Sequence, residues 1–236
     1  MKKHFALIAL FVFAVSTSLI SQKLLKPFES VSKKKTSYII KEDGTEIQGE
    51  VKKLKRKKGL IKEINIKGEN GKKVTIPIED IKYAYLPQSG WDKFMKMDDF
   101  LVDATQWEDG LYDSERLKEG YALFEKAEVI VKKKKRVLLM QLLNPHGCDR
   151  VKVYHNPFAT ETGGLAFGGV QVTGGKDKSY YISLDDDTSF KLGKKKYKKM
   201  FDKVFPDCKD VKEEYGKKSW NKFEQAVFAY NKTCKK

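Results

Sequence analysis

The chain has 236 residues, 40% hydrophobic and 12% aromatic, and a formal net charge of +16. That length holds one large or two small domains with a buried core, which excludes a disordered or low-complexity chain. Of its 48 basic residues only four are arginine (Arg56, Arg116, Arg136 and Arg150), so the excess consists of lysine point charges. Few of them are the planar forks that read phosphate pairs and base edges, which argues against specific nucleic-acid recognition.

Met1-Lys2-Lys3-His4 precedes an apolar run from Phe5 to Val15 and a small polar stretch, Ser16-Thr17-Ser18. A basic start, a short apolar run and small residues spell a secretory signal peptide over residues 1–21, cleaved after Ser18 or Ser21. The run is shorter than the roughly 20 residues of a permanent anchor, and no later segment is apolar enough for one. A periplasmic or secreted protein is expected, without a transmembrane anchor after cleavage. Residues 22–35 are polar, with one proline and a Lys33-Lys34-Lys35 run, and read as a flexible tail. Charge is uneven beyond it. Lys33 to Tyr83 carries 15 basic and 8 acidic residues, whereas Asp92 to Glu119 carries 4 basic and 9 acidic.

Residues 36–88 read as five short strands. Asp43-Gly44 and Asn70-Gly71 are hairpin turns, and Ile47, Gly49 and Val51 alternate with polar positions. Five strands in about 50 residues predict a small barrel. The Asp43-Gly44 turn, a glycine at 49 in the second strand and the closing Glu79-Asp80-Ile81 segment resemble the Sm-like and SH3-like barrels. Sm-type RNA binding is not implied. The loops that carry it in that family read here Lys55-Arg56-Lys57-Lys58-Gly59 and Ile78-Glu79-Asp80. Residues 89–120 form an acidic connector in which Trp91, Phe94, Met95, Leu101 and Val102 have helical spacing.

Residues 121–193 read as an antiparallel β domain. Ala122 to Val131 and the continuously apolar Val137–Leu143 are strands, and lysines 132–135 form a solvated tip between them. Residues 194–236 read as helical. Tyr197, Met200, Phe201, Val204 and Phe205 fall on one helix face. Pro206 stops that helix, and Asp207 and Ser219 stand as caps for two more. Phe205-Pro206-Asp207-Cys208, followed by a helix and then an aromatic helix ending in Cys234, is similar to the C-terminal tails of uncharacterised exported bacterial proteins. The fold class expected is mainly β (α+β).

Five groups of residues bear on chemistry. His146, Cys148 and His155 bring together a thiol and two imidazoles, the elements of a zinc site or a Cys–His nucleophile. Paired metal-ligand spacing and catalytic-cysteine signatures are absent, and Asn144-Pro145 with Gly147 reads as a turn. The glycine-rich stretch from Gly163 to Gly175 lacks the Lys-Ser/Thr pair of a phosphate loop and reads as a hairpin. Asp185-Asp186-Asp187 lacks the spacing of a calcium loop and reads as a turn. The carboxylates Asp98, Asp99 and Asp103 read as solvated rather than as a hydrolytic pair. Cys208 and Cys234 bracket a helix–turn–helix and are expected to pair in an oxidising compartment.

The expected function is a non-catalytic binding or structural module of the bacterial envelope, with no cofactor and an envelope partner or ligand. One alternative is a lysine-rich binder of acidic glycan or nucleic acid. Another is an enzyme or metal site at Cys148.

Overall fold

The computed structural model describes residues 23–28, 30–57, 59–68, 70–89, 111–159 and 179–234, with four two-residue strands between 161 and 177. The expected signal peptide, the helical stripe from Trp91 to Val102 and the carboxylates at 98, 99 and 103 lie outside the described residues.

The first strands follow their sequence signals. β1 (Thr36–Lys41) turns at Gly44, where φ is +83°, into β2 (Glu46–Lys57). The Asp43 carboxylate accepts the Thr45 N–H at 2.9 Å to fix the turn. β2 is long and bulged, with register shifts after Val51 and Lys55. A Cβ at Gly49 would sit 2.3 Å from the Lys67 carbonyl oxygen, so the bend needs a residue without one. β3 (Leu60–Lys67) and β4 (Lys73–Pro77) complete a meander, and a 3-10 turn at Ile78–Asp80 leads into β5 (Ile81–Pro87). β5 returns to pair antiparallel with β1.

The wall does not close at five strands, the number expected from the sequence. β5 also pairs with β6 (Tyr121–Val131), which forms a hairpin with β7 (Lys134–Gln141). β7 then meets β3 through Ile61 and Leu139. The result is a closed six-strand antiparallel barrel, β1-β5-β6-β7-β3-β2, with β4 as an extra strand on β3. The physical reason lies in the apolar faces. Ala122, Phe124 and Leu139 are buried in the barrel interior, and Val129, Leu138 and Met140 on the opposite face in a cluster with Tyr154 and Tyr181, so the β6–β7 hairpin buries both faces as part of the wall. Ile39, Val51, Ile64, Ile66, Ile81 and Leu86 are among the residues that fill the interior. The hairpin tip is Lys132-Lys133, both at positive φ, the conformation of a two-residue type I′ turn.

A second, three-stranded sheet packs beside the barrel in the order β14 (Phe190–Gly193), β13 (Ser179–Leu184), β8 (Val151–Tyr154). It touches the barrel through bridges Val129–Ser189 and Leu142–Tyr154. The glycine-rich segment carries a nested hairpin among its described residues, β9 (Glu161–Thr162) against β12 (Lys176–Asp177) and β10 (Ala166–Phe167) against β11 (Val170–Gln171).

Helices α2 (Tyr197–Val204), α3 (Lys209–Glu214) and α4 (Phe223–Thr233) pack on the second sheet. The short α1 (Ser114–Lys118) precedes β6, with the Asp113 carboxylate accepting the Arg116 N–H. Trp220 and Phe223 stack on Tyr180 of β13, with ring centroids 5.8 and 5.5 Å away. The expected caps differ. Asp207 adopts a left-handed turn at φ +51°, Cys208 takes the cap position of α3, and Ser219 makes no side-chain cap bond. No helix among the described residues is long and apolar enough to cross a membrane.

The segment expected to be a flexible tail is a strap laid on the body. Leu25 N–H donates to the Leu143 carbonyl at 2.7 Å, and Phe28 N–H donates to Gln141 Oε1 at 2.8 Å. The Gln141 amide in turn donates to the Lys26 carbonyl at 3.0 Å. Phe28 is 6% exposed and packs edge-on against Phe124. The lysine-rich composition of this stretch conceals the two apolar residues that anchor it.

Candidate functional site

The apolar run of β7 ends at Leu143, and the turn from 144 to 150 carries the chain into β8. Two asparagines hold that turn. Asn144 Oδ1 accepts the Val153 N–H at 2.8 Å, and its amide donates to the Val151 carbonyl at 2.8 Å. Asn231 of α4 accepts the N–H groups of Arg150 and Val151, both at 2.8 Å. Its amide nitrogen lies within 3.0 Å of the carbonyls of Gly147 and Val151. Arg150 forks onto Asp185 at 3.0 and 2.9 Å and donates to the Cys234 carbonyl at 3.0 Å. The turn is thus sewn to the last helix and to the β13–β14 turn.

The residues singled out for chemistry are absorbed into this packing. His146 stacks on Phe228 with ring centroids 5.0 Å apart, and burial pushes its imidazole down to about 4. Cys148 is 6% exposed. Burial drives its thiol up to about 12 against the opposing pull of the Lys152 ammonium. A thiol at that value is not a nucleophile at neutral pH. His155 lies past β8, where its N–H donates to the Gln141 carbonyl at 3.0 Å. Among the described residues no group of three or more His, Cys, Asp or Glu side chains is placed to hold a metal ion. Of the three residues of the metal-site alternative, His146 and Cys148 lie in the turn and His155 lines a separate cleft. Asp185 and Asp186 form the expected turn, both at positive φ.

A polar cluster that the sequence reading missed sits beneath Cys148, between the barrel and the second sheet. Glu125 of β6 is 8% exposed. It accepts hydrogen bonds from the phenols of Tyr112 and Tyr154 and is paired with the Lys152 ammonium at 3.3 Å. Lys152 is itself only 12% exposed and reaches Asp186 at 2.8 Å. Burial, and then the Glu125 charge, raise both tyrosines above their ordinary value. Burial opposes the Lys152 ammonium, yet Glu125 and Asp186 together hold its pKa above the usual lysine value. Two phenols and an ammonium all donate to one carboxylate and occupy three of its roughly four acceptor sites. The sequence signal was a carboxylate that follows the unbroken apolar run Tyr121–Phe124.

The barrel seam opens a second feature. Where β3 and β7 meet at one residue pair, there is an open cleft with a volume of about 50 Å³. Phe28, Phe124 and Leu139 are among its apolar lining, and Arg56, Gln141 and His155 are its polar groups. Gln141 is already engaged with the strap backbone on both sides of its amide.

Cys208 and Cys234 form a disulfide with Cα atoms 5.9 Å apart, joining the start of α3 to the end of α4. Cys148 is the buried reduced cysteine. Comparison of the chain with known proteins finds no matching family model, no matching curated protein and no matching solved structure.

Proposed function

We propose that this protein is a non-catalytic binding or structural module of the bacterial envelope, acting through its surface. The observation that carries the reading is the fate of the chemistry-bearing side chains. Cys148 is buried with its thiolate pushed out of reach, at about 12, and His146 is buried in its neutral form and stacked on the Phe228 ring. Glu125 is buried and engaged by three donors. Such groups fasten layers together rather than meet a substrate. The Cys208–Cys234 disulfide supports an oxidising compartment, and hence a periplasmic or secreted protein. We further infer that β1–β5 is a Sm-like or SH3-like unit. The meander, the 3-10 turn before β5 and the return of β5 to β1 support this. The β6–β7 hairpin is then an addition that completes the wall.

The test is a pull-down from envelope extract with the native protein and a Cys148→Ala/His146→Phe double variant. The double variant, folded by circular dichroism, captures the same partners as the native protein. Loss of those partners with the fold intact refutes the reading.

A further inference from the structure

The lysines of this protein are not spent alike. Around the barrel many are neutralised in place: Lys41 lies 3.2 Å from Asp43, Lys55 3.1 Å from Glu63 and Lys135 2.7 Å from Glu128. The junction of β14 and α2 is different. Lys191, Lys194, Lys195, Lys196, Lys198 and Lys199 fall within nine residues that contain no acidic side chain. All six are exposed. None makes an ion pair with a described residue, and the nearest carboxylate along α2, Asp202, is taken by Lys218 at 3.0 Å. The stretch of sequence that contains them, residues 191–236, carries fifteen lysines in all against six acidic residues.

Local electrostatics oppose this arrangement. α2 has no acidic residue in its first turn and no side-chain cap, so the lysines crowd the positive end of its dipole. A folding requirement does not ask for cations there; an anionic partner does. The 3-10 turn and the first helical turn place the residues from 194 to 199 along roughly 10 Å of axis. The interleaved aromatic, Tyr197, is 1% exposed and locked against Phe201, Trp220 and Phe223. The patch therefore offers no stacking platform for bases and no arginine fork for a nucleic-acid backbone. It offers a compact set of point charges on a surface fixed by the disulfide-bonded helical layer.

We propose that the Lys191–Lys199 patch docks the protein on an anionic phospholipid surface. The proposal rests on the envelope reading above, which brings the protein to such surfaces, and goes beyond it by naming the partner. Each lysine near a charged bilayer strengthens binding roughly fivefold, by release of counterions and attraction to headgroup phosphates.

The test is co-sedimentation of the mature protein with vesicles of phosphatidylcholine, alone or with about 30% phosphatidylglycerol, at low salt. The protein is expected to sediment with the anionic vesicles, stay in solution with the neutral ones, and come off as salt is raised. A Lys194→Glu/Lys195→Glu/Lys198→Glu variant should lose on the order of a hundredfold in affinity while its melting temperature holds or rises, since the new carboxylates suit the helix start. A Lys33→Glu/Lys34→Glu/Lys35→Glu variant changes net charge equally and should bind nearly as the native protein does. Equal loss in both variants overturns the proposal, because binding then follows net charge and not the patch. Tighter binding of a short DNA duplex than of anionic vesicles at the same salt also overturns it. Failure to bind anionic vesicles overturns it too, and leaves the envelope-module reading to the pull-down.

Discussion

His146→Phe isolates the energetic consequence of burying an imidazole in a structural turn. In the native protein burial holds the His146 pKa near 4 instead of 6.5. Between those values the unfolded chain takes up a proton that the folded chain refuses. Stability is therefore full above pH 6.5 and falls as pH drops toward 4. At pH 4.5 the loss from this one group is about 2.5 kcal/mol, worked from the two pKa values by proton linkage. Phenylalanine keeps the stack on Phe228, whose ring lies 5.0 Å away at 19°, and removes the titration. Urea unfolding of both proteins at pH 7.5 and pH 4.5 reads the effect directly. The native protein should lose about 2.5 kcal/mol more than the variant on acidification, a difference of about 1 M in midpoint. Equal losses would show that His146 ionises as readily in the folded state as in the unfolded one, and the burial argument would fail.

Three further perturbations probe the fastenings. Glu125→Ala strands two buried phenols and leaves the Lys152 ammonium with Asp186 as its remaining carboxylate; it should cost about 2–4 kcal/mol in denaturant unfolding, and a cost under about 1 kcal/mol would mean that water replaces the carboxylate. Replacing Cys208 and Cys234 together by alanine opens a 26-residue separation. It should cost about 3.5 kcal/mol by loop entropy, with the fall in melting temperature seen by calorimetry and an unchanged melting point contradicting the estimate. Phe28→Ala should cost about 3 kcal/mol and release the strap. Limited trypsin digestion then cuts after Lys23 faster than in the native protein, and an unchanged cleavage rate would contradict the strap.

The strands were largely legible in the sequence and their partners were not. Asp43-Gly44 and the Ile47/Val51 alternation marked β1 and β2 because turn chemistry and face burial are local properties. Which edge β6 would join is not local. Alternation tells a strand which face to bury and says nothing of its neighbours, so the hairpin that closes the barrel read as part of another unit. The strap was hidden for a related reason, since Leu25 and Phe28 are two apolar residues in a polar stretch whose contacts lie more than a hundred positions away. Glu125 escaped notice because its partners Lys152 and Tyr154 stand 27 and 29 residues on. The disulfide was legible because two helices between its cysteines return the chain on itself. Cys148 and His146 carried the right chemistry in name, and only their burial shows that they serve the turn.

Alkylation of Cys148 tests most directly the claim that these groups belong to the core rather than to a reaction. The native protein is incubated with iodoacetamide at about pH 8 and labelling is followed by mass spectrometry. A thiol 6% exposed and pushed up to about 12 should remain unlabelled for hours, and react at once when guanidinium unfolds the chain. Rapid stoichiometric labelling of the folded protein would reveal a reachable thiolate and contradict the account.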